Sequence, residues 1–185
     1  MIIGITGRVG VGKSTAAAHL ASVFDATLID LDVVGHDILK VPPVIRILTR
    51  FFGNEVVDES GEVDRKRLGS MVFSSPAQLD LLNQIVHPEI RDRVIQHLEW
   101  LPNKPRVIIV GALIDQIGLR TTCDKMLVII AAPEAVAKAV GSKAKIGEVQ
   151  ADESEYKKDA DSVVINTYDD RFLAECEKAV KQWII

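Results

Sequence analysis

Five short runs along the chain are rich in aliphatic and β-branched residues: Ile2–Thr6, Ala26–Ile29, Arg106–Val110, Met126–Ala131 and Ser162–Ile165. Several carry apolar residues at successive rather than alternate positions, the pattern of strands buried on both faces in a parallel sheet. Between the runs, apolar residues recur at helical spacing. Ala17, Leu20, Ala21 and Phe24 form one stripe at i, i+3, i+4, i+7, and Phe172, Leu173, Cys176 and Val180 form another. Strand–helix alternation predicts an α/β layered fold with a five-stranded parallel sheet.

The alternation breaks over residues 41–100. Pro42-Pro43 opens a helical pattern with Val44, Ile47, Leu48 and Phe51 on one face. Leu79, Leu82 and Val86 make a second face, and Ile90, Val94 and Leu98 a third, with Pro88 placed to start that last helix. The segment reads as a helical insertion, 41–100, packed beside a core of 1–40 and 101–185 in one domain. A second irregular stretch, with Gly, Ser, Lys, Asp and Glu and little apolar periodicity, fits a short lid over about 138–159 or a solvated loop plus helix.

Composition narrows the function. The formal net charge is −4, which excludes a protein that coats nucleic acid but not one that holds a small anion with a few local cations. Cys123 and Cys176 stand too far apart for a metal-spaced set or a disulfide framework, and read as reduced thiols. The start, Met1-Ile2-Ile3-Gly4, lacks the pattern of a secretory leader. The longest apolar run, Val107–Ile114, is well short of the roughly 20 residues of a spanning helix. A cytoplasmic location without membrane partner is expected.

The strongest chemical signal is Gly7-Arg8-Val9-Gly10-Val11-Gly12-Lys13-Ser14, a match to G-x-x-x-x-G-K-[ST]. Glycines let the backbone bend and bring its N–H groups to phosphate oxygens. The following helix adds the positive end of its dipole. Lys13 supplies a charge for the β- and γ-phosphates, and Ser14 a hydroxyl for Mg²⁺. A predicted strand precedes the motif and an amphipathic helix follows it, as the chemistry requires. Arg8 stands where a small residue is more usual, its guanidinium either touching phosphate or lying in solvent.

After the second strand comes Asp30-Leu31-Asp32-Val33-Val34-Gly35-His36. In an extended segment Asp30 and Asp32 point to the same side. A carboxylate near a phosphate loop can orient Mg²⁺ or accept a proton from an attacking hydroxyl, or it can simply cap the next helix. His36 shares a face with Asp32 if a helix begins there.

These motifs, with Phe52-Gly53, Gly61-Glu62-Val63-Asp64-Arg65-Lys66-Arg67-Leu68, Val72-Phe73 and His87-Pro88-Glu89-Ile90-Arg91, resemble the dephospho-CoA kinase family of P-loop proteins. The resemblance implies a three-layer P-loop fold whose insertion is a coenzyme-binding lobe. It implies transfer of the γ-phosphoryl group of ATP to the ribose 3′-hydroxyl of dephospho-CoA, a small-molecule substrate, with Mg²⁺. It assigns Gly10, Val11, Gly12, Lys13, Ser14, Thr15 and Asn166 to the nucleotide, Ser14 to the metal, and Lys13, Asp32 and Asp30 to catalysis. Asp32, His36, Arg65, His87 and Arg91 fall to the acceptor. His87-Pro88 is equally a helix end followed by a helix start, and Asn166, in Val164-Ile165-Asn166, can equally cap a turn.

Two departures bear on rate. Val110 stands where the family usually has a carboxylate. The family's lid usually carries arginines, yet none occurs between Asp124 and Asp170; Lys138, Lys143 and Lys145 are the nearby cations, and lysine lacks the two-pronged phosphate contact. Another small-molecule kinase, or a nucleotide-binding protein with weakened catalysis, are the alternatives.

Overall fold

The computed structural model describes residues 1–102, 106–140 and 153–184, in two compact units, Met1–Asp30 with Leu101–Ile185, and Leu31–Trp100. In the first unit, β1 (Ile2–Thr6), β2 (Thr27–Asp30), β3 (Val107–Val110), β4 (Lys125–Ile130) and β5 (Ser162–Ile165) form one parallel sheet in the order β2-β3-β1-β4-β5. The strands lie within a residue of the predicted runs. The continuous apolar pattern has the expected cause. All four residues of β3 are buried, as are the last four of β1.

Helix α1 (Lys13–Val23) crosses from β1 to β2. After β4, α6 (Pro133–Val140) and α7 (Glu153–Lys157) lie on the way to β5, and α8 (Arg171–Ile184) follows it. Moving from β1 to β2 and from β4 to β5 in opposite directions along the sheet, right-handed crossovers put α1 and α6–α7 on opposite faces. Helices α1 and α8 pack together, closing a core around Ile5, Leu20, Leu127, Ile129, Cys176 and Val180, all fully buried. Each such Ile or Leu contributes about 1.5–3 kcal/mol.

The second unit is helical: α2 (Leu31–Ile38), α3 (Pro42–Phe52), α4 (Arg65–Val72) and α5 (Pro76–Trp100). Helix α5 packs against the other three, with Val86, Ile90 and Val94 buried. It corrects one expectation. Pro88 does not start a helix; α5 runs through it. The proline lacks the N–H that would bond the Gln84 carbonyl. Burial of Val86 and Ile90 on either side keeps the helix whole, so two predicted helices are one. The expected boundary at 40/41 also moves, because α2 belongs to this unit, which begins at Leu31. Most of the lid segment, 141–152 with Lys143 and Lys145, lies outside the described residues.

Candidate functional site

The phosphate loop leaves β1 at Gly7 and enters α1 at Lys13. Gly7, Gly10 and Gly12 have φ of 140°, 83° and 96°, which side chains rarely adopt. Two also leave no room for one. A Cβ on Gly7 would overlap the Ile129 carbonyl oxygen, and one on Gly12 would overlap Asn166 Nδ2. No side chain caps α1, and its first turn has no acidic residue. The first N–H groups of α1 thus receive no cap from the Ncap residue and no acidic side chain of its own first turn, the kind of helix start that binds phosphate. Lys13 Nζ donates to the Arg8 carbonyl at 2.8 Å, laying the ammonium across the loop. Ser14 and Thr15 are exposed in the first turn of α1.

The loop is held from behind by the β5–α8 turn. Asn166 Nδ2 donates to the Val11 carbonyl at 2.9 Å, Tyr168 N–H donates to Asn166 Oδ1 at 2.7 Å, and Tyr168 Oη donates to the Gly10 carbonyl at 2.6 Å. The Asn166 side chain is only 4% exposed, and its amide bonds the backbone of the loop and of Tyr168, so in this structure it acts on the loop. Tyr168 was not singled out by the sequence; its signal is only its place two residues after Asn166. Beside the loop, Arg8 is half-buried and lines a cavity of about 190 Å³ with Val9, Val136, Ala137 and Tyr156, so its side chain is not simply in solvent.

Asp30 ends β2, in register with Val110 of β3, which is buried and apolar. Asp32 falls in the first turn of α2 and is exposed. The two carboxylates therefore do not share one extended segment, because the helix begins at Leu31, between them. The helix does place His36 one turn beyond Asp32.

In the second unit, His36 and Arg65 line a cavity of about 300 Å³ with Leu39, Lys40, Glu62 and Val63. Lys40 was not singled out by the sequence, and Glu62 was quoted within the Gly61–Leu68 stretch but not taken as a site residue. Asp64 caps α4 by accepting from the backbone of Lys66 and Arg67 at 3.0 and 3.1 Å, which fixes the helix start that carries Arg65. Asp32, His87 and Arg91 are not among the cavity's described lining residues. His87 and Arg91 lie one turn apart on α5; Arg91 is exposed, while burial pushes the His87 imidazole below its ordinary 6.5 and favours the neutral ring.

The residues fit a nucleotide phosphate. The test is the loop itself: three left-handed glycines, an uncapped helix start and a lysine. Among the described residues no group of three His, Cys, Asp or Glu could cage a metal ion. At phosphate loops in general, Mg²⁺ is held by one or two protein oxygens and by substrate phosphates. No helix among the described residues is long and apolar enough to cross a membrane.

A parallel sheet of this order, with the glycine-rich loop between its central strand and α1, has the architecture of a P-loop fold. Residues 1–170 match the family model described as dephospho-CoA kinase. The dephospho-CoA kinase of Idiomarina loihiensis is 36% identical over 129 residues, 69% of this chain and 63% of that relative, so the match spans somewhat under two thirds of its length. That of Dehalococcoides mccartyi is 32% identical, over 80% of this chain and 76% of the relative. A crystal structure from Thermus thermophilus, 32% identical, superposes with a TM-score of 0.82 over 100% of this chain and 98% of that one. The chain belongs to the dephospho-CoA kinase family.

Proposed function

We propose that this protein transfers the γ-phosphoryl group of ATP to the 3′-hydroxyl of dephospho-CoA, giving coenzyme A. The observation that carries the reading is an intact, backbone-braced phosphate loop in a chain whose family match runs through residue 170. Bound ATP with Mg²⁺ supplies the activated phosphoryl group. Val11, Gly12 and Lys13 amides hold the phosphates, Lys13 Nζ neutralises charge as transfer proceeds, and Ser14 offers its hydroxyl to the ion. Asp32 orients the acceptor hydroxyl or takes its proton, with Asp30 the less favoured base. His36 and Arg65, sharing one cavity, would receive the acceptor's anionic part, and arginine suits its pyrophosphate. His87 and Arg91 on α5 are further acceptor candidates, and the reaction belongs to the cytoplasm.

ADP release measured with dephospho-CoA, AMP, CMP and shikimate in parallel tests this. Activity with dephospho-CoA alone is expected, and turnover confined to any other acceptor would sink the assignment. A second reading, nucleotide binding with slow transfer, is favoured by the absence of arginine between Asp124 and Asp170. Tight ATP binding with no turnover at high enzyme concentration would decide for it. Loss of a measured rate in Asp32→Asn, with ATP affinity kept, would decide against it.

A further inference from the structure

Within one planar peptide unit the C=O and N–H vectors point in opposite directions. A group that holds the carbonyl oxygen from one side thus aims the next residue's N–H to the other. Two side chains do this at successive units of the phosphate loop. Tyr168 Oη holds the Gly10 carbonyl at 2.6 Å, and Asn166 Nδ2 holds the Val11 carbonyl at 2.9 Å. The N–H groups so oriented are those of Val11 and Gly12. The braces are coupled, since Tyr168 N–H donates to Asn166 Oδ1.

We propose that Tyr168 is a positioning residue for nucleotide binding, holding the loop so that the Val11 and Gly12 N–H groups stay turned toward phosphate. The proposal rests on the reading of Gly7–Ser14 as the ATP phosphate site. A second, independent observation supports it. Tyr168 has φ of 57°, a left-handed conformation that a bulky residue adopts only under strain. Glycine would sit there without strain but could not reach the loop. Strained backbone of this kind clusters at ligand sites, where surrounding contacts hold it in place. The tyrosine is also 41% exposed, so losing its hydroxyl opens no cavity in the core.

The test uses the full chain as wild type, Tyr168→Phe and Tyr168→Gly. Mg²⁺–ATP is titrated calorimetrically, and melting temperature is measured without nucleotide. Tyr168→Phe is expected to weaken ATP binding about three- to tenfold, the loss of one hydrogen bond, with a melting temperature within about 2 °C of wild type. Tyr168→Gly is expected to weaken binding at least as far while melting no lower, because strain is relieved. A merely structural role would instead lower the melting temperature of the glycine variant and leave ATP affinity alone. ATP affinity in Tyr168→Phe within about twofold of wild type, less than one such bond is worth, overturns the proposal. Failure of the wild type itself to bind ATP removes the phosphate-loop reading and the brace together, and is recognised because it occurs in the parent.

Discussion

Around the phosphate loop, the groups that face a ligand are backbone N–H, oriented by a buried asparagine and an exposed tyrosine from β5–α8 and by glycines whose Cβ would clash. Around the second unit's cavity, they are the ends of exposed side chains: His36, Lys40 and Arg65, on long arms, with only the helix start under Arg65 fixed by the Asp64 cap. In the first region the loop carbonyls are held by two coupled side chains. The second keeps rotamer freedom that binding must remove, about 0.5–1.5 kcal/mol for each side chain immobilised. Backbone recognition reads phosphate in general, whereas side-chain recognition reads a particular acceptor. The contrast predicts that substitutions in the two regions will separate rate from acceptor affinity.

The largest effect should come from the cationic side chain that the phosphate loop contributes directly. Lys13→Ala removes the cation laid across the loop and leaves the glycines and their braces in place. Turnover is expected to fall about 100- to 1000-fold, the usual cost of deleting a group that stabilises transition-state charge. Melting temperature should stay near wild type. A steady-state ADP-release assay checks the first and calorimetric melting the second. A parallel collapse of melting temperature would mean that the loop is not independently braced, and the comparison would fail.

The same contrast governs what the sequence revealed. The sheet was legible because its strands are apolar on both faces, and the loop because glycine, lysine and serine stand at fixed offsets that the chemistry demands. The braces were not. Asn166 and Tyr168 meet Val11 and Gly10 across some 155 residues of chain, and no local pattern encodes that meeting. The second unit was harder still. Pro88 reads as a helix start by local preference, yet burial of Val86, Ile90 and Val94 overrides it. The pairing of Asp30 with Asp32 assumed extended backbone, where α2 begins at once. Lys40 and Glu62 line one cavity with His36 and Arg65 although some 20 residues of chain separate them, and no local spacing signals that meeting.

A middle-sized effect should isolate the flexible region. Arg65→Ala removes an exposed guanidinium from the cavity, with the α4 cap intact because Asp64 accepts from backbone N–H groups. The KM for dephospho-CoA is expected to rise about tenfold, the worth of one charge-assisted hydrogen bond. The KM for ATP should not move. Arg65→Lys would restore charge without the fork, so partial recovery distinguishes bidentate contact from simple neutralisation. Equal rises in both KM values would show that the two regions are not separable by function.

The smallest effect concerns acid. His87 lies half-buried on α5, and burial alone holds its imidazole below the ordinary 6.5. The sign follows from proton counting. As pH falls below 6.5 the unfolded chain takes up a proton at this ring that the folded chain still refuses. The unfolded state then binds more protons, so stability declines as pH drops and is unaffected well above 6.5. His87→Gln removes the titration and keeps a polar side chain of similar reach. Between pH 7 and pH 5 the wild type is expected to lose melting temperature relative to the variant by an amount on the order of 2 °C. The variant's ATP affinity should match wild type at both values, since no phosphate-loop group described above depends on this ring. Identical acid sensitivity in the two proteins would place the acid response outside His87.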